Sequence, residues 1–159
     1  MRLQSIAYWL VLVQVMVWGW VSPSRAADEP VNLAQGKTAT ASGQEGDNFS
    51  AAMAVDGDPQ TRWSSQFNDD QWLQIDLGSA QKISKVALMW EAAYGTQYKI
   101  QVSEDEKNWK DVASVTDGKG GEVAHEFAPV MARYVRMQGI KRATEWGYSL
   151  FEFKVYAAK

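Results

Sequence analysis

From Trp72 to the end of the chain, apolar and polar residues alternate in short runs, and this period of two constrains the fold more than any other feature. In Trp72-Leu-Gln-Ile-Asp-Leu77, Leu73, Ile75 and Leu77 share one side while Trp72, Gln74 and Asp76 share the other. Successive side chains of an extended chain point to opposite faces, so such a run reads as a half-buried strand. Further runs cover 83–90, 98–103, 109–115, 123–127, 133–137 and 150–156. Gly78-Ser79, the glycine-rich stretch 117–121 and Gly139 punctuate them as turns, and only 50–55 hints at a helical turn. Many short strands without a long helix predict an all-β antiparallel sandwich or barrel.

The first 26 residues do not fit this pattern. Met1-Arg2 is a short positive start, 6–21 is almost wholly apolar, and Ser24-Arg25-Ala26 places small residues before a cleavage point. This reads as a signal peptide over 1–26, with a short leader at 27–31 and one domain over 32–159. The apolar run is shorter than the roughly 20 residues a membrane span needs and is interrupted by Gln14 and Gly19. The expected compartment is therefore secreted or periplasmic. Without Arg2 and Arg25 the chain keeps 14 basic against 19 acidic residues, a net charge of −5. That argues against nucleic acid or an anionic membrane surface as partner. The chain has no cysteine, so something other than a disulfide must fix its loops.

One stretch raises that question directly: Ala54-Val-Asp-Gly-Asp-Pro-Gln-Thr-Arg-Trp63, with two carboxylates, a hydroxyl and then Arg62-Trp63. Spacing alone leaves an ordinary turn and an ion-binding loop both open. The EF-hand pattern fails, because Thr61 sits where that loop needs Gly.

Six stretches, in order, resemble the discoidin domains, also called coagulation factor 5/8 type C domains. They are Asn32-Leu-Ala-Gln-Gly-Lys-Thr-Ala-Thr-Ala-Ser42, the stretch just quoted, Trp72-Leu-Gln-Ile-Asp-Leu-Gly78, Tyr98-Lys-Ile-Gln-Val-Ser103, Ala132-Arg-Tyr-Val-Arg-Met137 and Tyr148-Ser-Leu-Phe-Glu-Phe-Lys-Val-Tyr156. The resemblance is nearest to the bacterial family 32 carbohydrate-binding modules. It implies an eight-stranded antiparallel jelly-roll sandwich, galactose-binding-domain-like, with a structural calcium and a glycan site on loops at one end. It also implies calcium held by Asp56 and Thr61 side chains, the Met53 carbonyl and Asp58, with Glu152 closing the site from the last strand. An ion tying an early loop to that strand would take the place of the missing disulfides. Trp63 is expected in the core.

Sugar recognition needs a flat apolar surface for the C–H face of the ring and polar groups for its hydroxyls. Glu45, Phe67, Glu91, Tyr94, Trp146 and Tyr148 all fall in expected loops, with Arg62 beside the ion loop. The pattern Trp90-Glu-Ala-Ala-Tyr94 is similar to modules that accompany chitosan- and glucan-degrading enzymes. There the resemblance implies that Glu45 and Glu91 meet the protonated amine of glucosamine. A basic set, Arg62, Lys141 and Arg142, offers the alternative of an acidic polysaccharide such as polygalacturonate. His125 lies in a strand pattern and reads as packing rather than as the loop histidine of galactose binders.

No catalytic motif stands out. His125-Glu126 lacks a second histidine and no Gly-x-Ser-x-Gly elbow is present. The expected function is a non-catalytic, monomeric polysaccharide binder of weak affinity. A protein- or membrane-surface adhesion domain is the alternative from another class.

Overall fold

The computed structural model describes residues 30–159; the signal-peptide reading of 1–26 lies outside them. Seven strands run in the order β1 (Thr38–Ala41), β2 (Trp63–Ser64), β3 (Trp72–Trp90), β4 (Gly95–Ser103), β5 (Lys110–Val115), β6 (Glu122–Arg142) and β7 (Ser149–Ala157). All pairings are antiparallel. Two short 3-10 turns, Asp47–Phe49 and Ala51–Ala54, are the only helical pieces among the described residues.

β3 and β6 are long because each serves two layers. The first half of β3 pairs with β1 and with the second half of β6, which continues to β4 and β5. The second half of β3 pairs with the first half of β6 and with β7, which carries β2. The two expected strands 72–77 and 83–90 are thus one bent strand, as are 123–127 and 133–137. Gly78 does not end a strand. It adopts φ 87°, inside a register shift between Asp76 and Gln81 where the strand turns from one layer to the other. A second shift between Ile83 and Lys85 changes the inward phase from odd to even numbers, so that Val86, Leu88 and Trp90 follow Leu73, Ile75 and Leu77 into the core. An antiparallel sandwich results, closed around Trp63, Tyr98, Tyr148 and Phe153, all fully buried.

A third irregularity precedes a functional residue. β7 pairs Glu152 with Met89 but Leu150 with Trp90, leaving Phe151 as the extra residue of a bulge. Glu152 and Phe153 are consecutive, yet both are buried, and Glu152 is only 3% exposed. Glu152 keeps its regular place opposite Met89, on the face away from Phe153, and is buried because the 53–61 loop packs over that face.

Gly139, expected at a turn, instead lies within β6 and donates its N–H to the Gln71 carbonyl at 2.8 Å. A Cβ there would land on the Tyr148 ring. That ring is fully buried and tethered by its hydroxyl, which donates to the Asp69 carbonyl at 2.8 Å, so it cannot swing aside. Gly139→Ala is expected to cost about 1–3 kcal/mol, the usual penalty for overpacking a core. Urea unfolding of the two proteins measures it, and equal midpoints would show that the ring relaxes freely.

Candidate functional site

Three connections and the short strand β2 meet at one end of the sandwich and enclose a cleft of about 640 Å³. Glu45 comes from the β1–β2 connection, Arg62 and Ser64 from the start of β2, Glu91 and Ala93 from the β3–β4 turn, and Glu145 and Trp146 from the β6–β7 loop. The acidic walls are held in place. The Glu45 N–H donates to the Ser64 carbonyl at 2.8 Å, and Glu45 Oε2 accepts from Ser64 Oγ at 2.8 Å. Glu91 Oε2 accepts the Ala93 N–H at 3.1 Å, while the Glu91 and Ser149 backbones lock the same turn onto β7.

Arg62 makes no ion pair among the described residues; its guanidinium lies 4.2 Å from the centre of the Phe49 ring. Asp69 pairs with Arg142, at 2.9 Å. Three carboxylates against one guanidinium leave the cleft acidic. On its rim, Trp146 is 55% exposed and meets Phe67, 47% exposed, edge to face at 5.5 Å between ring centres. Acceptors inside and an apolar ridge beside them suit a cationic, ring-shaped polar ligand.

Tyr148 is not part of this surface. Its ring is fully buried behind Gly139 and Gly95, with burial pushing the phenol well above its usual range, so it supports the site from below. Tyr94 also turns away, half-buried against Gly120 of the β5–β6 turn, and does not line the cleft. Trp63 is core, as expected, Trp90 is core too, and His125 packs on Tyr98 with its Nε2 3.0 Å from the Tyr98 hydroxyl. Burial holds the His125 pKa below its ordinary value. Glu145 and Ser64 line the cleft without having been singled out from the sequence. Glu145 had a usable signal, as a carboxylate beside the loop Trp146.

The second cluster lies around 53–61. Asp56 Oδ1 accepts the Asp58 N–H at 2.9 Å and Asp58 Oδ1 accepts the Gln60 N–H at 2.9 Å, two turns that coil the loop. Thr61 Oγ1 then has three oxygens around it: Asp56 Oδ2 at 2.7 Å, the Asp58 carbonyl at 3.1 Å and the Met53 carbonyl at 3.5 Å. One hydroxyl proton satisfies one of them. Glu152 faces the same loop with both carboxylate oxygens buried and, among the described residues, without a hydrogen-bond partner. Burial raises its pKa; the Gly57 N–H offsets part of that without reaching hydrogen-bonding geometry, and the Asp56 and Asp58 charges add to the rise. An orphaned carboxylate costs several kcal/mol unless it is protonated or meets a cation. Among the described residues no three His, Cys, Asp or Glu side chains converge on a metal site, so carbonyl and hydroxyl oxygens must supply much of any shell. Such a donor set fits a hard, oxygen-seeking cation.

The sequence model of the F5/8 type C domain matches residues 38–153. Among solved structures, chitosan-binding module 1 of a chitosanase/glucanase from Paenibacillus sp. IK-5 is 48% identical, over 80% of this chain and 99% of that one, with TM-score 0.78. Chitosan-binding module 2 of the same enzyme, solved in complex with chitotriose, is 45% identical over 79% of this chain and 100% of its own, again with TM-score 0.78. The polysaccharide lyase 8 family protein HylA of Enterococcus faecalis is 31% identical over 94% of this chain. The chain spans 12% of that relative's length.

Proposed function

The chain belongs to the F5/8 type C domain family, and from that membership we propose that it is a non-catalytic carbohydrate-binding module whose ligand is an amino-sugar polysaccharide of the chitosan type. The observation that carries this reading is the cleft with Glu45 and Glu91 fixed on separate loops and an exposed aromatic pair on its rim. The two carboxylates receive the protonated amine, Arg62 binds hydroxyls, and Trp146 with Phe67 carries the C–H face of the ring. Likeness to two chitosan-binding modules at 48% and 45% identity supports the choice of sugar. Binding without turnover is in line with that likeness.

The acidic-polysaccharide alternative loses support in the packing. Arg142 spends its guanidinium on Asp69 and on the Glu145 and Trp146 carbonyls, and Lys141 does not line the cleft. An adhesion role for the exposed Trp146 and Phe67 is the reading of another class.

A structural calcium belongs to the same proposal. Asp56 and Thr61 side chains, the Met53 and Asp58 carbonyls and Glu152 would hold it, and the ion would neutralise the buried carboxylate and tie the loop to β7. The protein would work as a monomer outside the cytoplasmic membrane, in line with the leader pattern of 1–26.

Titration of the protein against chitosan, polygalacturonate, β-1,3-glucan and a galactan, each with calcium and with chelator, tests the assignment. Binding to chitosan is the expected result. Binding to polygalacturonate alone would hand the site to its cations, and binding to none would favour a protein or membrane partner.

A further inference from the structure

Beside the first cleft lies a second, of about 430 Å³, on the outer face of the layer that contains β4. Strand register builds its floor: Lys99 of β4 stands opposite Gln138 of β6, which itself stands opposite Trp72 of β3. Asp70, from the loop that enters β3, forms the rim, and Ile140, 44% exposed, forms the apolar side. The charged groups here differ in how far they are spent. Lys99 is paired with Asp111 at 2.6 Å and Asp69 with Arg142 at 2.9 Å. Asp70 has no cation within ion-pair range among the described residues; it accepts only the Gln138 Nε2–H, at 3.0 Å on Oδ1. The Gln138 amide oxygen accepts nothing among the described residues, because both contacts of that side chain are made by its nitrogen.

A single braced side chain separates the two clefts. Arg142 donates Nε to Asp69 Oδ1 at 2.9 Å and Nη1 to the Glu145 carbonyl at 2.9 Å and the Trp146 carbonyl at 3.3 Å. Asp69 lines the second cleft; Glu145 and Trp146 line the first. The ridge between them therefore holds its shape, and it exposes the apolar side chains of Phe67, Trp146 and Ile140 among the polar ones of Asn68, Asp69 and Glu145. An uncommitted carboxylate and an amide oxygen, reached from an acidic cleft over a ridge that carries exposed aromatic and aliphatic side chains, repeat the chemistry of that cleft.

We infer that the second cleft is a further subsite for the same polymer, which takes another amino sugar of a chain already held in the first. The inference rests on the chitosan-type reading above. Asp70 receives the ammonium, the Gln138 oxygen accepts from a hydroxyl, and the ridge carries the apolar face of the intervening chain. The module then reads a stretch of polysaccharide rather than one terminal sugar. Affinity rises with chain length, because a ligand anchored in one cleft meets the other at high effective concentration.

The test is calorimetry of the wild type, Asp70→Asn, Gln138→Ala and Glu91→Gln with a glucosamine dimer and a glucosamine hexamer. The wild type should bind the hexamer at least about tenfold more tightly than the dimer. Asp70→Asn keeps the oxygen that accepts from Gln138 but removes the charge. It should erase most of the hexamer advantage and leave dimer affinity within about twofold, and Gln138→Ala should act in the same direction. Glu91→Gln should weaken both ligands. Equal affinities of the wild type for dimer and hexamer overturn the subsite while leaving the first cleft intact. So does a chain-length gain that survives both Asp70→Asn and Gln138→Ala, since it must then arise elsewhere. If neither ligand binds, the chitosan reading falls and the subsite falls with it.

Discussion

Replacing Glu91 is expected to abolish measurable chitosan binding while the domain stays folded. Glu91 sits on the β3–β4 turn, where one carboxylate oxygen holds the Ala93 N–H at 3.1 Å and the other is left for a ligand. A hydrogen bond to a charged group is worth more than a neutral one, and the loss leaves the amine facing an uncharged wall. A penalty of about 2–3 kcal/mol is about 30- to 150-fold in Kd. Shallow polar sites bind weakly to begin with, so that factor takes the interaction below detection. Glu91→Ala also removes the hydrogen bond that shapes the turn, whereas Glu91→Gln keeps an oxygen for Ala93 and removes only the charge. Loss in both variants, with thermal midpoints near the wild type, assigns the effect to the charge. Affinity unchanged in Glu91→Gln takes the carboxylate out of the recognition. Loss in Glu91→Ala alone assigns the effect to the shape of the turn.

Much of this architecture was legible because a strand writes its two faces into alternate residues. Leu73, Ile75 and Leu77 point inward as the run 72–77 implies, and Ile100 and Val102 do so in β4. What alternation hides is where the phase slips. The shift at 83–85 and the bulge at Phe151 each add one residue without a composition signal. Nor does alternation show that the 53–61 loop folds over Glu152 and buries it. The same limit governs the loop aromatics. Trp146 and Tyr148 flank Gly147 and look equivalent in sequence, yet one is exposed and the other is fully buried. Tyr148 is drawn inward by the space that Gly139 leaves and by the Asp69 carbonyl that takes its hydroxyl proton, groups 9 and 79 positions away. Tyr94 is likewise accommodated by Gly120, across the sandwich end in the β5–β6 turn. A residue's local neighbours report none of these contacts. Glu45 and Glu91 could be placed outside the strands from sequence, but that they line one cleft depends on how the β1–β2 connection and the β3–β4 turn converge, which no local pattern reports.

Removing calcium is expected to lower the thermal midpoint by roughly 10 °C. A ligand present at a thousandfold excess over its Kd stabilises a fold by about 4 kcal/mol, and in a domain of this size each kcal/mol is worth about 2–4 °C. The reason to expect so large a term is the Glu152 carboxylate, which has no hydrogen-bond partner for either oxygen among the described residues and sits opposite a loop whose oxygens outnumber its protons. With an ion in place, that carboxylate and the Asp56 side chain are ligands; without it, Glu152 must take up a proton or stay charged in a dry site. Asp56→Ala should melt in calcium at about the temperature of the chelated wild type, and chelator should not lower it further. Glu152→Gln separates the ion's effect from that of the buried charge. It should lose the response to calcium, yet without calcium it should be at least as stable as the wild type, because an amide has no charge to desolvate. If chelator leaves the wild-type midpoint unmoved, and calcium added back does nothing, the loop closes on its own hydrogen bonds and Glu152 is held as a buried acid. A response to calcium that persists in Glu152→Gln would place the ion on the 53–61 loop alone, with no tie to β7.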